Sequence, residues 1–446
     1  MIVLVQPSII SGALHAPASK SAMQRVCAAA VIRKGQTIIH NPGNSNDDKA
    51  ALNVIQQLGA NVDEVSGKLI VSSKGVYPIS NTLHCGESGL GIRMFTPLAA
   101  LSNREIAIRG EGSLVTRPMN FFDEVLPKLG VFMRSNGGKL PLIIKGPLQP
   151  RTITVDGSLS SQFLTGLLMA FSAANASDVS IHVTDLKSKP YIDLTLQVIK
   201  DLGMKLPQNK NYSEFYFDNS AIHSFSTIDY TVEGDWSGGA FLLVAGAIAG
   251  NVTVKCLLNI SRQADKRIVD ALLDAGVDVT VREDQVEVKR KDLQSFEFDA
   301  TDCPDLFPPL VALAANCKGI SRLRGLRRLK HKESDRGVTL QEEFNKLSTR
   351  IDLDGDEMIV YGNEKIFVKN HTLNSHHDHR IAMACAVACL NADFEVEIRN
   401  ADAVKKSYPD FWDHLKQLKA GISLKPFTND STYDLTPNPS PKKRGR

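Results

Sequence analysis

A single phrase recurs along this chain: an amphipathic helix ends in Leu-Gly or Ala-Gly, and a short alternating strand, a turn and a second strand follow. It is found at Leu58-Gly59 before Ala60-Asn61-Val62, and at Leu129-Gly130 before Val131-Phe132-Met133. It returns at Leu202-Gly203 before Met204 and at Ala275-Gly276 before Val277-Asp278-Val279. A fainter fifth copy is Leu347-Ser348 before Thr349-Arg350-Ile351, and a sixth is Ala420-Gly421 before Ile422. The copies are spaced by about 72 residues, so six of them account for nearly all of the 446 residues. The glycine stops each helix in a left-handed conformation. Ser66-Gly67, Asn136-Gly137-Gly138 and Asp354-Gly355 supply turns between paired strands. Such units are too long for a solenoid of simple helix pairs. They fit two globular domains of three units each, with helices packed against sheets. The midpoint falls near Glu233-Gly234-Asp235, and a cleft between the halves is the expected ligand site.

Lys and Arg number 52 against 49 Asp and Glu, for a net charge of +3. A nucleic-acid binder usually shows a concentrated basic surplus, so any cationic site here must be local. No apolar run approaches the roughly 20 residues of a membrane helix. The opening Met1-Ile2-Val3-Leu4-Val5-Gln6-Pro7 reads as a strand, not as a signal peptide. The seven cysteines (Cys27, Cys85, Cys256, Cys303, Cys317, Cys385, Cys389) are odd in number and form no CxxC pair. They are expected as reduced, buried thiols in a cytoplasm. From about Lys425 the chain turns Pro-rich and then basic, ending in Lys442-Lys443-Arg444-Gly445-Arg446, and this stretch is expected to be disordered.

Several motifs stand where helices should begin. In Pro17-Ala18-Ser19-Lys20-Ser21-Ala22-Met23-Gln24-Arg25, Ser19 is the expected N-cap. Lys20 and Ser21 then lie where backbone N–H groups favour an anion, with Arg25 one turn on. Cys85-Gly86-Glu87-Ser88-Gly89-Leu90-Gly91-Ile92-Arg93 lets backbone approach a ligand closely, but it lacks the ending of a P-loop. Thr116-Arg117-Pro118 places Arg117 just before an expected helix entry. Val155-Asp156-Gly157-Ser158-Leu159-Ser160-Ser161-Gln162-Phe163 offers hydroxyls and an amide at a helix start, although polar capping alone would also explain it. Lys330-His331-Lys332-Glu333-Ser334-Asp335-Arg336 is the densest charge cluster. Glu333 there is a candidate general acid or base, or else part of a solvated helix face. His376-His377-Asp378-His379-Arg380 has neither metalloprotease nor Cys-pair spacing, which favours an anion-binding helix entry over a metal site. Lys405-Lys406-Ser407-Tyr408-Pro409 precedes the last helix. Together the motifs describe a site for two anionic substrates, with acids and bases for proton transfer and no metal or organic cofactor.

In order, from about residue 5 to 418, these motifs resemble the 5-enolpyruvylshikimate-3-phosphate synthases, a family of enolpyruvyl transferases. The most specific pieces are Pro17-Ala18-Ser19-Lys20-Ser21, Asp156-Gly157-Ser158-Leu159-Ser160-Ser161-Gln162-Phe163-Leu164 and Ser188-Lys189-Pro190-Tyr191-Ile192-Asp193, followed by Lys332-Glu333-Ser334-Asp335-Arg336 and Asp378-His379-Arg380. The resemblance implies an α/β fold of two similar domains, each of three βαβαββ repeats with helices packed inside sheets. Residues 19–233 would form the first domain. Residues 1–18 and 234–424 would form the second, and 425–446 the tail.

The resemblance also implies roles. Lys20, Ser21, Arg25, Ser160, Ser161, Gln162, Ser188, Tyr191, Asp305 and Lys332 would contact shikimate 3-phosphate. Lys20, Gly89, Arg117, Gln162, Arg336, Arg380 and Lys406 would hold phosphoenolpyruvate. Lys20, Asp305, Glu333 and His379 would be the catalytic set, with Glu333 the acid and base at the methylene carbon. No cofactor, nucleic acid or membrane is implied, and the protein would be a cytoplasmic monomer. The sequence departs from the family in Glu87, where Asn is common, in Leu90 and Met94 for Thr and Pro, and in Arg328 for Asn. The sister enzymes acting on UDP-N-acetylglucosamine have a Lys-Asn pair at the first helix and a reactive Cys near Arg117. Here Ser21 follows Lys20, and no Cys lies between Cys85 and Cys256. A degenerate paralogue that only binds anions, and an enzyme acting on RNA ends, are two further rival readings.

Overall fold

The computed structural model describes residues 1–220, 226–330 and 332–425. The expected disorder of the tail, apart from Lys425, lies outside the described residues, as does His331 of the charge cluster. Lys425 itself closes a strand, Gly421–Lys425.

Among the described residues the strands form six sheets of four, all with one topology. In the plainest copy Thr82–His84 runs parallel to Glu105–Arg109. Leu142–Lys145 then pairs antiparallel with Glu105–Arg109, and Phe132–Arg134 lies outside it. The sheets holding Ile153–Asp156 and Glu297–Asp299 repeat the pattern within a continuous stretch of chain. The other three each borrow a strand from far away. Thr227–Thr231 pairs with Lys34–His40, and Ile10–His15 with Gly250–Lys255. Ile2–Gln6 lies between Val396–Arg399 and Gly421–Lys425. The Ser66-Gly67 turn joins its strands through two residues with positive φ, the conformation a tight hairpin requires.

One strand departs from the expectation. After Leu202-Gly203 it begins at Gln208 rather than Met204, because Pro207 denies the intervening segment a ladder donor. Among the described residues there are two hydrophobic cores, one drawing on residues 22–232, the other on 3–16 and 236–420. Each is centred on three packed helices: Lys20–Ile32, Gly89–Ala99 and Ser161–Ala173 in the first, Trp236–Ala249, Phe307–Ala315 and His379–Ala388 in the second. Trp236–Ala249, apolar all round, is buried throughout. The chain crosses between the cores twice, and the crossings are tied together. Ser19 N–H donates to the Glu233 carbonyl at 2.8 Å and Asp235 N–H to that of Pro17 at 2.7 Å.

Candidate active site

The N-terminal ends of all six central helices border one cavity of about 870 Å³. Its walls take Lys20, Ser21 and Arg25 from the first helix, Gly89 and Arg93 from the second, and Ser160, Ser161 and Gln162 from the third. From the other core come Asp235, Asp305, His379 and Arg380. Helix N-termini concentrate unpaired N–H groups and positive potential. Their side-chain caps include Ser19, which as expected accepts from Ala22 N–H, Ser160, which accepts from Gln162 N–H, and Asp378, which accepts from Arg380 N–H.

Every expected site residue lines this cavity except Lys406, which lines an adjoining one of about 350 Å³. Asp47 is common to both cavities. Lys406 still reaches the chemistry, since its Nζ lies 3.8 Å from Glu333 Oε1. Two expectations of local structure are corrected. Arg117 ends a short 3-10 turn, Gly112–Thr116, and the next helix starts only at Asn120. Pro118 therefore is not its first residue, and Met119 intervenes with no side chain able to cap. Lys332 and Glu333 precede the helix Arg336–Asn345 rather than riding on it, so the solvated helix face is not seen.

Cations and carboxylates neutralise one another here. Asp305 accepts from Lys332 at 3.0 Å, Arg336 at 2.9 Å and Arg380 at 3.1 Å. Glu333 accepts from Arg336 at 2.5 Å and stands 3.4 Å from Arg117. Arg336 is fixed further by Asp378 at 2.8 Å, and Lys20 by Asp47 at 2.9 Å. Arg93 donates to Gln162 at 2.8 Å, and Arg25 to Thr195 at 2.9 Å. Glu87, where an unpaired carboxylate would repel an anion, is paired: Lys406 donates to its carbonyl at 2.9 Å and its carboxylate at 3.3 Å.

Burial pushes the Glu333 carboxyl up, but Arg336, Arg117 and Lys406 outweigh it and hold it well below the ordinary glutamate range. Asp305 is likewise held low, burial being overcome by Arg380, Lys332 and Arg336. His379 is kept neutral by burial, which Glu333 only partly offsets. Asp265 moves the other way. Burial and the charge of Asp305 push it up to about 6. It accepts from the hydroxyls of Tyr191, at 3.2 Å, and Ser237.

Asp47, Asp378 and Asp265 join the site although the sequence assigned them no role in it. Asp378 caps a helix and stands beside two expected site residues, His379 and Arg380. Asp47 lies in the capping box Ser45-Asn46-Asp47-Asp48, a start signal that could have found it. Asp265 carries no local signal. Among the described residues no cluster of three or more His, Cys, Asp or Glu side chains could hold a metal ion, and no helix is long and apolar enough to cross a membrane.

Repeated sheets around helices that aim their N-termini at a common cationic cleft define an enolpyruvyl transferase fold. EPSP synthase from Acinetobacter baumannii superposes with a TM-score of 0.78 at 22% identity, covering 95% of this chain and 100% of its own. The enolpyruvyl transferase NikO from Streptomyces tendae gives 0.73 at 18% identity, over 95% and 98%. The family EPSP synthase (3-phosphoshikimate 1-carboxyvinyltransferase) matches residues 4–415, and the chain belongs to it. The 3-phosphoshikimate 1-carboxyvinyltransferase of Clostridium novyi is 33% identical, covering 92% of this chain and 96% of the relative. That of Methanococcus maripaludis (strain S2) is 30% identical, over 95% and 100%.

Proposed function

We propose that the protein transfers the enolpyruvyl group of phosphoenolpyruvate to the 5-hydroxyl of shikimate 3-phosphate and releases phosphate, in the shikimate route to aromatic amino acids. The observation that carries this reading is Glu333, one buried carboxylate facing Arg117, Arg336 and Lys406 beside a second set of phosphate-sized donors. Residues 19–233 form one domain in this reading, residues 1–18 and 234–424 the other, and the reaction runs between them in a cytoplasmic monomer.

Lys20, Ser21, Arg25, Ser160, Ser161, Gln162, Ser188, Tyr191 and Lys332 hold the acceptor. Asp305 accepts from its hydroxyls and takes the proton of the attacking one. Lys20, Gly89, Arg117, Gln162, Arg336, Arg380 and Lys406 hold phosphoenolpyruvate. Its phosphate and carboxylate compete with Glu333 and Asp305 for the same cations. As these turn to the substrate, Glu333 loses counter-charge and its affinity for a proton rises. A carboxyl so tuned can protonate C3 while the acceptor oxygen bonds to C2. In the second step Glu333 takes a C3 proton back as the C2–O bond to phosphate breaks. Fixed cations stabilise the charge throughout, with His379 bordering the same pocket.

Phosphate release from phosphoenolpyruvate tests the reading, with shikimate 3-phosphate and UDP-N-acetylglucosamine as separate acceptors. Release with the first alone is expected. Release with the second alone, or with neither, removes it.

A further inference from the structure

The helices Gly89–Ala99 and His379–Ala388 are entered through turns of one kind, one in each half of the chain. In the first, Cys85 N–H donates to the Arg109 carbonyl and Ser88 N–H to that of Cys85. In the second, Ser375 N–H donates to the Arg399 carbonyl and Asp378 N–H to that of Ser375. Matched on these bonds, Gly86 corresponds to His376. Both are left-handed, at φ 57° and 52°, and His377 follows at 57°. Glycine takes that conformation freely, whereas a residue with a Cβ is strained in it. A histidine in this place needs a side-chain contact that offsets the strain.

That contact is Glu343, whose side chain is buried, 1% exposed. His376 Nε2 lies 2.8 Å from Glu343 Oε1, and since a carboxylate oxygen only accepts, the ring nitrogen carries the proton. The other carboxylate oxygen accepts from Asn374 N–H at 2.9 Å, and Lys346 donates to both. Glu343 rides on Arg336–Asn345, about two turns beyond Arg336. One helix therefore reaches the turn at two points. Arg336 holds Asp378 at the cavity, and Glu343 holds His376 and Asn374 behind it, where neither Glu343 nor His376 lines the cavity.

We propose that His376 is a positioning residue: its ring, anchored on Glu343, holds the left-handed turn that aims Asp378, His379 and Arg380 into the site. Through Asp378 the same anchor sets the guanidinium of Arg336. His376 itself touches no substrate. The assignment rests on the enolpyruvyl-transfer reading.

Wild-type phosphate release is measured first, so a failure of the reaction assignment is seen separately. His376→Ala, His376→Gly and His376→Gln are then compared with it, varying each substrate in turn. His376→Ala is expected to raise the KM for phosphoenolpyruvate, the substrate of Arg336 and Arg380, about 3- to 10-fold, the loss of one hydrogen bond. The KM for shikimate 3-phosphate should stay within about twofold, since Lys20, Ser160 and Ser161 hold it from the other core. His376→Gln, which keeps a donor, should recover part of the loss. His376→Gly, which relieves the backbone but lacks the ring, should not. Joined to Glu343→Gln, His376→Ala should add less than about twofold to the loss from Glu343→Gln alone. An unchanged KM for phosphoenolpyruvate overturns the proposal. So do full recovery by glycine, losses that add, or an equal rise for both substrates, which marks a merely structural residue. If His376→Ala fails to fold by circular dichroism, the folded His376→Gly and His376→Gln decide on the same criteria.

Discussion

Glu333 is held ionised because Arg336, Arg117 and Lys406 face it, and in the proposed reaction its worth lies in giving that state up to the substrate. Glu333→Gln keeps the shape and removes the proton carrier. It should lower kcat by at least about two decades while far-UV circular dichroism is unchanged. Lys20→Ala, which leaves Asp47 without its partner, should cost a similar factor in phosphate release. Asp265 gives a prediction of the opposite electrostatic sign. Its folded pKa, about 6, lies above the ordinary aspartate value, so the native state binds the extra proton. Its contribution to stability is complete below about pH 4 and is lost as pH rises through about 6, a total of about 3 kcal/mol. Asp265→Asn should therefore gain stability relative to wild type between pH 4 and pH 8, measured by urea unfolding at each pH. Residues such as Lys20, Ser160 and Arg380 were legible in sequence because each follows or forms a helix cap. Asp265 was not, because burial makes it unusual and its partners Tyr191 and Ser237 are distant in the chain.

Among the elements, the helices Gly89–Ala99 and Ser161–Ala173 approach so closely that Gly166 has no room for a side chain. A Cβ there would lie 2.8 Å from the carbonyl oxygens of Arg93 and Met94. Gly166→Ala should destabilise the fold by about 1–3 kcal/mol, seen as a lower denaturant midpoint. Gly89→Ala should behave differently. Its Cβ would crowd the tip of Arg117, 2.6 Å away, with the tip of Arg93 in ordinary contact at 3.7 Å, and a flexible tip can move. The fold should stay intact by denaturant midpoint, while the KM for phosphoenolpyruvate rises as Arg117 is displaced. The elements themselves were readable, because the glycine that stops a helix and the turn that joins two strands are local signals repeated along the chain. Where a segment obeys a local rule of its own, the repeat misleads. Pro207 delays a strand, and Met119 separates Pro118 from the helix it was expected to open.

At the scale of the molecule the site exists only where distant segments meet. Lys406 and Glu87 are 319 residues apart and share a hydrogen-bonded pair at the cavity rim. Glu87→Asn releases Lys406 from a competing carboxylate, and it should lower the KM for phosphoenolpyruvate about two- to fivefold at low salt, with the gain fading as salt screens the pair. No sequence pattern announces such a pair, since it depends on how two cores face each other. The borrowed strands carry one more consequence. Ile2–Gln6 is clasped between Val396–Arg399 and Gly421–Lys425, and the amino terminus of Met1 rests on Asp402 at 3.0 Å. Translation delivers those partners on the order of a minute after the strand itself has left the ribosome. Within the stretch from Lys20 to Thr231 the wait is shorter, since Lys34–His40 pairs early with Lys68–Lys74 and only its other edge waits for Thr227–Thr231. Residues 2–6 are thus made long before the strands that flank them, and until those arrive both edges of an apolar strand stay bare.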